Sequence, residues 1–271
     1  MNFQTKLVQA IDKTNSLVCV GLDTDVTKIP KHLYTSDTAM FDFNKGIIDA
    51  TAQVVCSYKI NSAFYEASGA DGIRQLKMTC DYLRVTYSST PFIADAKRAD
   101  IGNTNAGYVA YLFNYLKADA VTLHPYLGKE ALEPFLSHED KGNFILCRTS
   151  NPGAGEIQDV LVEGEPLYAY IAKKVASEWN NKGNCMLVVG ASAKELGKVR
   201  ALVGDMFLLV PGIGAQAGDL QGTLEQGLTK EKSGLIIHSA RSIIYADGSE
   251  HFAEKAKEEA IKLRDAINEY R

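Results

Sequence analysis

The chain has 271 residues, 46% of them hydrophobic and 23% charged, with a formal net charge of −4. That composition describes a globular chain with a large core, and its dispersed basic residues exclude a nucleic-acid footprint or a membrane-surface patch. No stretch approaches the ~18 apolar residues that a membrane span needs.

Residues 1–6 have no long apolar core, so no secretory leader is expected. Residues 2–13 read as a helix capping one end of the fold. Eight short apolar runs then follow at 17–22, 54–60, 92–96, 120–123, 144–147, 186–189, 206–210 and 235–237. They are rich in Val, Ile and Leu without clean alternation, as strands buried on both faces should be. Helical stretches lie between them at 41–53, 72–86, 105–116, 129–136, 166–180, 193–203 and 219–228. A last helix, 251–270, sets Phe252, Ala256, Ala260, Leu263, Ile267 and Tyr270 on one stripe. Strand and helix alternating eight times predict a (β/α)8 TIM barrel, a single domain over 1–271 with an N-terminal capping helix. A doubly wound open sheet is the alternative, weakened because no G-x-G-x-x-G follows the first strand.

Barrel sites form at the C-terminal ends of the strands. In this chain those ends carry Asp23, Lys59, Asp95 with Lys97, His124, Arg148 with Ser150, the 211–216 segment, and His238 with Arg241. The strand starts are blander. One rim therefore gathers charges, hydroxyls and glycines, as a polar, anionic small molecule requires.

The run 92–104 is the most informative. It delivers Asp95, Lys97 and Asp100 within six positions of a buried strand end. In an extended segment residues two apart share a face, so Asp95 and Lys97 point the same way. Charges at a buried strand end are expensive to desolvate, and an ammonium held there among carboxylates implies a use. An ordinary strand-end ion pair explains most isolated D-x-K triplets; the rest of this chain supports the sharper reading. Pro211-Gly-Ile-Gly-Ala-Gln216 and Ala240-Arg241-Ser242 follow strands 7 and 8, where barrels commonly bind phosphate. Glycines let backbone N–H groups approach an anion, and a guanidinium grips it with two hydrogen bonds. The five cysteines form no C-x-x-C pair and read as reduced structural thiols in a cytoplasmic protein. The five histidines form no H-x-H or H-E-x-x-H pattern, so no metal is expected.

Asp95-Ala-Lys97-Arg-Ala-Asp100-Ile-Gly-Asn-Thr104 resembles the D-x-K-x-x-D-I-G-x-T signature of orotidine 5′-monophosphate decarboxylases. Val210-Pro-Gly-Ile-Gly-Ala-Gln216 resembles that family's phosphate loop. Lys59-Ile-Asn-Ser-Ala-Phe-Tyr65 and Arg148-Thr-Ser-Asn-Pro-Gly153 resemble its longer subfamily, found in some bacteria and apicomplexan parasites. The D-x-K-x-x-D piece alone is shared with relatives of other function. The resemblance implies that Asp23 hydrogen-bonds the ribose and that Lys59 contacts a ribose hydroxyl and pairs with Asp95. It implies that Asp95 faces the substrate carboxylate and that Lys97 delivers a proton to C6. Asp100, with Ile101, would reach the neighbouring subunit's site in a homodimer. Thr104 would line the ribose pocket, Ser150 would read the pyrimidine edge, and Gln216 and Arg241, flanked by Pro211 and Ala240, would hold the phosphate. Ala240 departs from the glycine that many members carry there.

The implied reaction takes orotidine 5′-monophosphate to uridine 5′-monophosphate, the last step of UMP biosynthesis, with no cofactor. Electrostatics from the protein must then stabilise the C6 carbanion. Three alternatives stay open. A magnesium-dependent sugar-phosphate decarboxylase or aldolase on the same barrel would be expected to carry an acid where Lys59 stands. A Schiff-base aldolase would need Lys97 or Lys59 in an apolar setting. A non-catalytic nucleotide-phosphate-binding module has no need of the full acid–base set.

Overall fold

The structure is a computed structural model that describes residues 1–190, 192–212 and 219–271. The apolar runs become eight parallel strands: β1 (Val18–Gly21), β2 (Ser57–Asn61), β3 (Phe92–Arg98), β4 (Ala120–Leu123), β5 (Gly142–Arg148), β6 (Cys185–Val189), β7 (Leu208–Pro211) and β8 (Leu235–Ser239). β1 pairs with β2 on one side and β8 on the other, which closes the barrel. Burial on both faces explains the lack of alternation: every residue of β1, β4, β6 and β8 is buried. The open-sheet alternative is thereby overturned.

Register places the functional side chains. Cys19 is level with His238 on one neighbour and Ser57 on the other, and Gly21 is level with Lys59. Between β3 and β4 the register slips, Ala94 opposing Val121 while Arg98 opposes Leu123. The slip coincides with a left-handed backbone at Lys97, φ +46°.

The helix Phe3–Thr14 closes the N-terminal end as expected. Asn2 caps it, accepting the Thr5 N–H at 2.9 Å, and Asn15 ends it in the left-handed region. Phe3 meets Phe144 edge-on at 5.6 Å and lies over Gly142, where a Cβ would come within 2.5 Å of its ring. Helices Ala39–Thr51 and Phe252–Asn268 pack together around Phe43, whose ring is stacked between Tyr245 and Phe252 at 5.7 and 5.1 Å. The helix after β3 starts at Gly102 rather than at 105, and it passes from α geometry (Gly102–Val109) into π geometry (Ala110–Tyr115). The expected 166–180 helix does the same, at Leu167–Lys174 and Val175–Trp179. A short antiparallel hairpin, Leu161–Val162 with Glu165–Pro166, precedes it. Its turn puts Glu163 and Gly164 at φ +53° and +86°, the positive pair that a tight hairpin needs. Among the described residues no helix is long and apolar enough to cross a membrane.

Candidate active site

Asp95 near the end of β3 is the hub of the C-terminal rim. Its Oδ2 accepts from Lys59 Nζ at 2.5 Å; its Oδ1 accepts from Lys97 Nζ at 2.7 Å and Thr122 Oγ1 at 2.8 Å. Thr122 Oγ1 in turn accepts the Lys97 N–H at 3.0 Å, which fixes the left-handed turn at that residue. Burial alone would raise the Asp95 carboxyl, but the two ammoniums hold it well below the ordinary carboxylate range. Burial alone would push the Lys59 ammonium down, but Asp95 and Asp23 hold it above its ordinary value. The pair is therefore charged. Lys59 and Asp95 side chains are 5% and 7% exposed, whereas Lys97 is 48% exposed. The second ammonium thus faces open space from a fixed anchor.

That space is a cavity of ≈ 250 Å³ lined by Lys59, Asp95, Lys97, Thr122, Ser150 and Pro211, among others. It adjoins a second, of ≈ 510 Å³, that shares Ser150 and Pro211 and adds Arg148 and Gly212. Ser150 is presented by a braced loop: Gln158 Oε1 accepts the Thr149 N–H at 2.8 Å, and Arg148 pairs with Asp159 at 3.0 Å. Gly190 allows that loop to close on β6, since a Cβ there would fall 2.9 Å from the Ser150 nitrogen.

Asp23 follows β1 with Oδ1 buried and, among the described residues, without a hydrogen-bond partner; Lys59 Nζ is 3.9 Å away. Burial raises its carboxyl, against the pull of Lys59. Arg241 opens the short helix Arg241–Ile244 after β8; it is exposed and has no ion-pair partner among the described residues. Gln216 lies outside the described residues, so the phosphate loop is described only through Pro211 and Gly212.

Asp100 and Ile101, expected to reach a neighbouring subunit, and Thr104, expected in the ribose pocket, lie away from the Asp95 hub in this chain. The Asp100 carboxylate accepts from its own neighbour, the Ile101 N–H, at 2.7 Å and makes no bond to Lys97. Ile101 is 62% exposed, and Thr104, in the first turn of its helix, is exposed too. Among the described residues Lys97 is held by Asp95 alone, and Thr104 stands at the surface of its own barrel. The reason is directional: after the Lys97 turn the chain leaves the barrel axis.

One residue, Thr122, escaped the sequence reading, and a second, His238, was placed on the rim without a role. Thr122 is a lone hydroxyl in an apolar strand, and that isolation was its signal. His238 is buried on β8, and neither ring nitrogen has a hydrogen-bond partner among the described residues. All five cysteines are buried and free, and burial raises the thiol of each, as structural thiols require. Among the described residues no group of three or more His, Cys, Asp or Glu is placed to hold a metal.

Comparison with known proteins gives a consistent result. Residues 16–256 match the model of the orotidine 5′-phosphate decarboxylase / HUMPS family. The chain is 47% identical over 272 residues to an orotidine 5′-phosphate decarboxylase of Azoarcus sp. (strain BH72), covering 100% of both chains. It superposes on the Leishmania donovani OMP decarboxylase with a TM-score of 0.87 at 33% identity, covering 100% of this chain and 98% of that one. It also matches the Leishmania donovani UMP synthase, with a TM-score of 0.89 at 35% identity, covering 100% of this chain but 56% of that longer one. The closed barrel, the charge hub on β3 and these likenesses agree, and the chain belongs to the orotidine 5′-phosphate decarboxylase / HUMPS family.

Proposed function

We propose that this chain decarboxylates orotidine 5′-monophosphate to uridine 5′-monophosphate, the last step of UMP biosynthesis, with Lys97 as the proton donor. The carrying observation is the Lys59–Asp95–Lys97 array: a buried carboxylate anchors two ammoniums, and only Lys97 is left half-exposed at the cavity. In the reaction the bond from C6 to the carboxylate breaks and CO2 leaves. The electron pair stays on C6, and the Lys97 ammonium donates a proton to it. A fixed cation beside the developing charge lowers the barrier without solvent reorganisation, and the same group is the general acid. Asp95, kept ionised by its partners, faces the departing carboxylate. Asp23 and Lys59 bind the ribose, Ser150 reads the pyrimidine edge, and Gln216 and Arg241, with the backbone near Pro211 and Ala240, hold the phosphate. Grip on the distant phosphate supplies binding energy that orders the site.

The active form in this reading is a cytoplasmic homodimer with shared sites. Asp100, Ile101 and Thr104 face away from their own cavity and enter the partner's. Exposed apolar residues on the same rim support a covered face: Ile101 at 62% after β3 and Tyr126 at 87% after β4. Each barrel of 271 residues works as one domain.

The test is optical. The ultraviolet absorbance of orotidine 5′-monophosphate should fall on adding the purified protein, at the same rate with and without EDTA. Activity that vanishes with EDTA and returns with magnesium would favour the sugar-phosphate alternative. Binding without turnover would favour the non-catalytic module.

A further inference from the structure

His238 is a buried titratable group of the rim that the reaction as written does not use, and unlike Tyr65, whose hydroxyl donates to the Leu22 carbonyl, it has no hydrogen bond among the described residues. It lies on β8, level with Cys19 of β1 and Pro211 of β7. The ring leans toward β1. A Cβ built on Gly21 would stand 2.4 Å from His238 Nε2 and 2.7 Å from the Ala240 methyl, so Gly21 is bare because the imidazole occupies its side-chain space. Gly21 is level with Lys59 and two residues before Asp23, and His238 is three residues before Arg241. The ring therefore sits between the elements assigned above to ribose and to phosphate.

The side chain is 93% buried by its 7% exposure, yet neither Nδ1 nor Nε2 has a partner among the described residues. A buried polar group without a partner is costly, and native chains nearly always satisfy it with protein, water or ligand. Asp23 Oδ1 is in the same condition. Two neighbouring strands thus each lead to a buried polar atom that, among the described residues, makes no hydrogen bond.

Charge decides what such a ring can bind. Burial and then the Lys59 ammonium push its basicity well below the ordinary imidazole value, with Lys97 acting in the same sense and Asp95 against it. A neutral imidazole offers one donor and one acceptor. That set suits a hydroxyl, which also both gives and accepts; it is a poor choice for a phosphate or carboxylate, for which the rim already holds cations.

Resting on the nucleotide reading above, we propose that His238 is a specificity-determining residue whose ring hydrogen-bonds a sugar hydroxyl of the bound ribonucleotide, beside Asp23. The site then prefers ribo- over deoxyribonucleotides, because removing that hydroxyl leaves the imidazole buried and unpaired in the complex.

The test uses the product and two analogues: calorimetric binding of UMP, 2′-deoxy-UMP and 3′-deoxy-UMP to wild type, His238→Leu and His238→Asn. His238→Leu should weaken UMP by about tenfold or more. The loss should shrink to under about twofold for one of the two deoxy analogues, since that ligand never made the bond. His238→Asn keeps a donor and an acceptor and should restore most of the affinity. Equal losses for all three ligands, or no loss for UMP, would overturn the inference and leave His238 a packing residue. Wild type that binds none of the three would overturn both this inference and the nucleotide reading; tight wild-type binding with equal losses overturns this inference alone. Should His238→Leu not fold, nitrogen-15 spectra of histidine-labelled wild type supply the same answer. The His238 ring signals, identified by their absence in His238→Asn, should shift with UMP and stay in place with one deoxy analogue. Ring signals unmoved by UMP would overturn the proposal.

Discussion

The two ends of this barrel are built on opposite terms. At the N-terminal end polar groups find partners within the chain. Lys6 reaches both carboxylate oxygens of Asp119 at 2.9 Å, and Asp119 also accepts the Phe92 N–H at 3.0 Å. Lys141 donates to the Ala118 carbonyl at 3.0 Å, and Phe3 fills the space over Gly142. At the C-terminal end the same strands finish in groups left open. Among the described residues Asp23 Oδ1 and both His238 nitrogens make no hydrogen bond and Arg241 has no counter-ion, while Lys97 holds a left-handed backbone. Asn143 Oδ1 is the exception at the N-terminal end, buried without a hydrogen bond at the start of β5; the charged groups left open gather at the C-terminal end. The contrast separates residues that keep the barrel folded from residues that use it.

The contrast can be broken by mutation. The largest effect is expected at Lys97. Lys97→Ala should cut turnover by at least about ten-thousandfold, since charge stabilisation and proton delivery go together, while UMP still binds. A variant with a tenth of wild-type turnover would contradict the role given to it. At the opposite end, Phe3→Ala should cost about 3 kcal/mol of stability in denaturant titration, because Phe3 is 2% exposed and packed on Phe144. Its kcat/KM at a temperature where it remains folded should match wild type; a matching loss of activity would blur the division between the ends. Arg241→Ala should lower kcat/KM for the nucleotide by about a hundredfold or more, and should hardly change turnover of the nucleoside without phosphate. Equal losses on both would place Arg241 in another role.

The smallest effect is a pH dependence. His238 is held below its ordinary value, so the unfolded chain takes up a proton near pH 6.5 that the folded chain refuses. Stability from this group is present above pH 6.5 and drains as pH falls, by at most about 1.4 kcal/mol per pH unit. Lys59, Lys97 and Asp95 all face the ring, and only Asp95 favours its protonation. Asp95, also depressed, adds its own loss only below the ordinary carboxylate range near pH 4. Asp23 is raised, and protonating it in the fold partly offsets these losses. Melting temperatures of the apo protein between pH 7 and 5.5 should fall, and fall less in His238→Asn. An identical decline in the variant would assign the effect to other groups.

Most of the barrel was legible because strands buried on both faces must be apolar throughout, and eight such runs stand out between helical stretches. The β3 motif was legible because charged residues at a buried strand end need a reason. What the sequence concealed depends on neighbours across the sheet. Asp95 and Lys97 do meet, yet through a left-handed turn braced by Thr122, not by the simple alternation of an extended strand. Asp100 was expected to reach a neighbouring subunit's site; within its own chain its carboxylate accepts the Ile101 N–H. Thr104 was placed in a pocket by its motif and stands exposed at a helix start. The role of His238 depends on a missing side chain at Gly21, more than two hundred positions away. The Glu163-Gly164 turn was a readable hairpin signal, lost because its strands are two residues long.

The central claim is that the open end is completed from outside the chain, by substrate and by a second copy. Mixing the inactive variants Lys59→Ala and Asp100→Ala tests it most directly. If each site takes Lys59, Asp95 and Lys97 from one chain and Asp100 from its partner, a hybrid dimer carries one doubly damaged site and one intact site. With free exchange of equal amounts, half the dimers are hybrid, so about a quarter of all sites should regain turnover. Recovery to about that level is the expected result. No recovery, once subunit exchange has been demonstrated with tagged chains, would mean that Asp100 serves its own barrel and that the shared site does not exist.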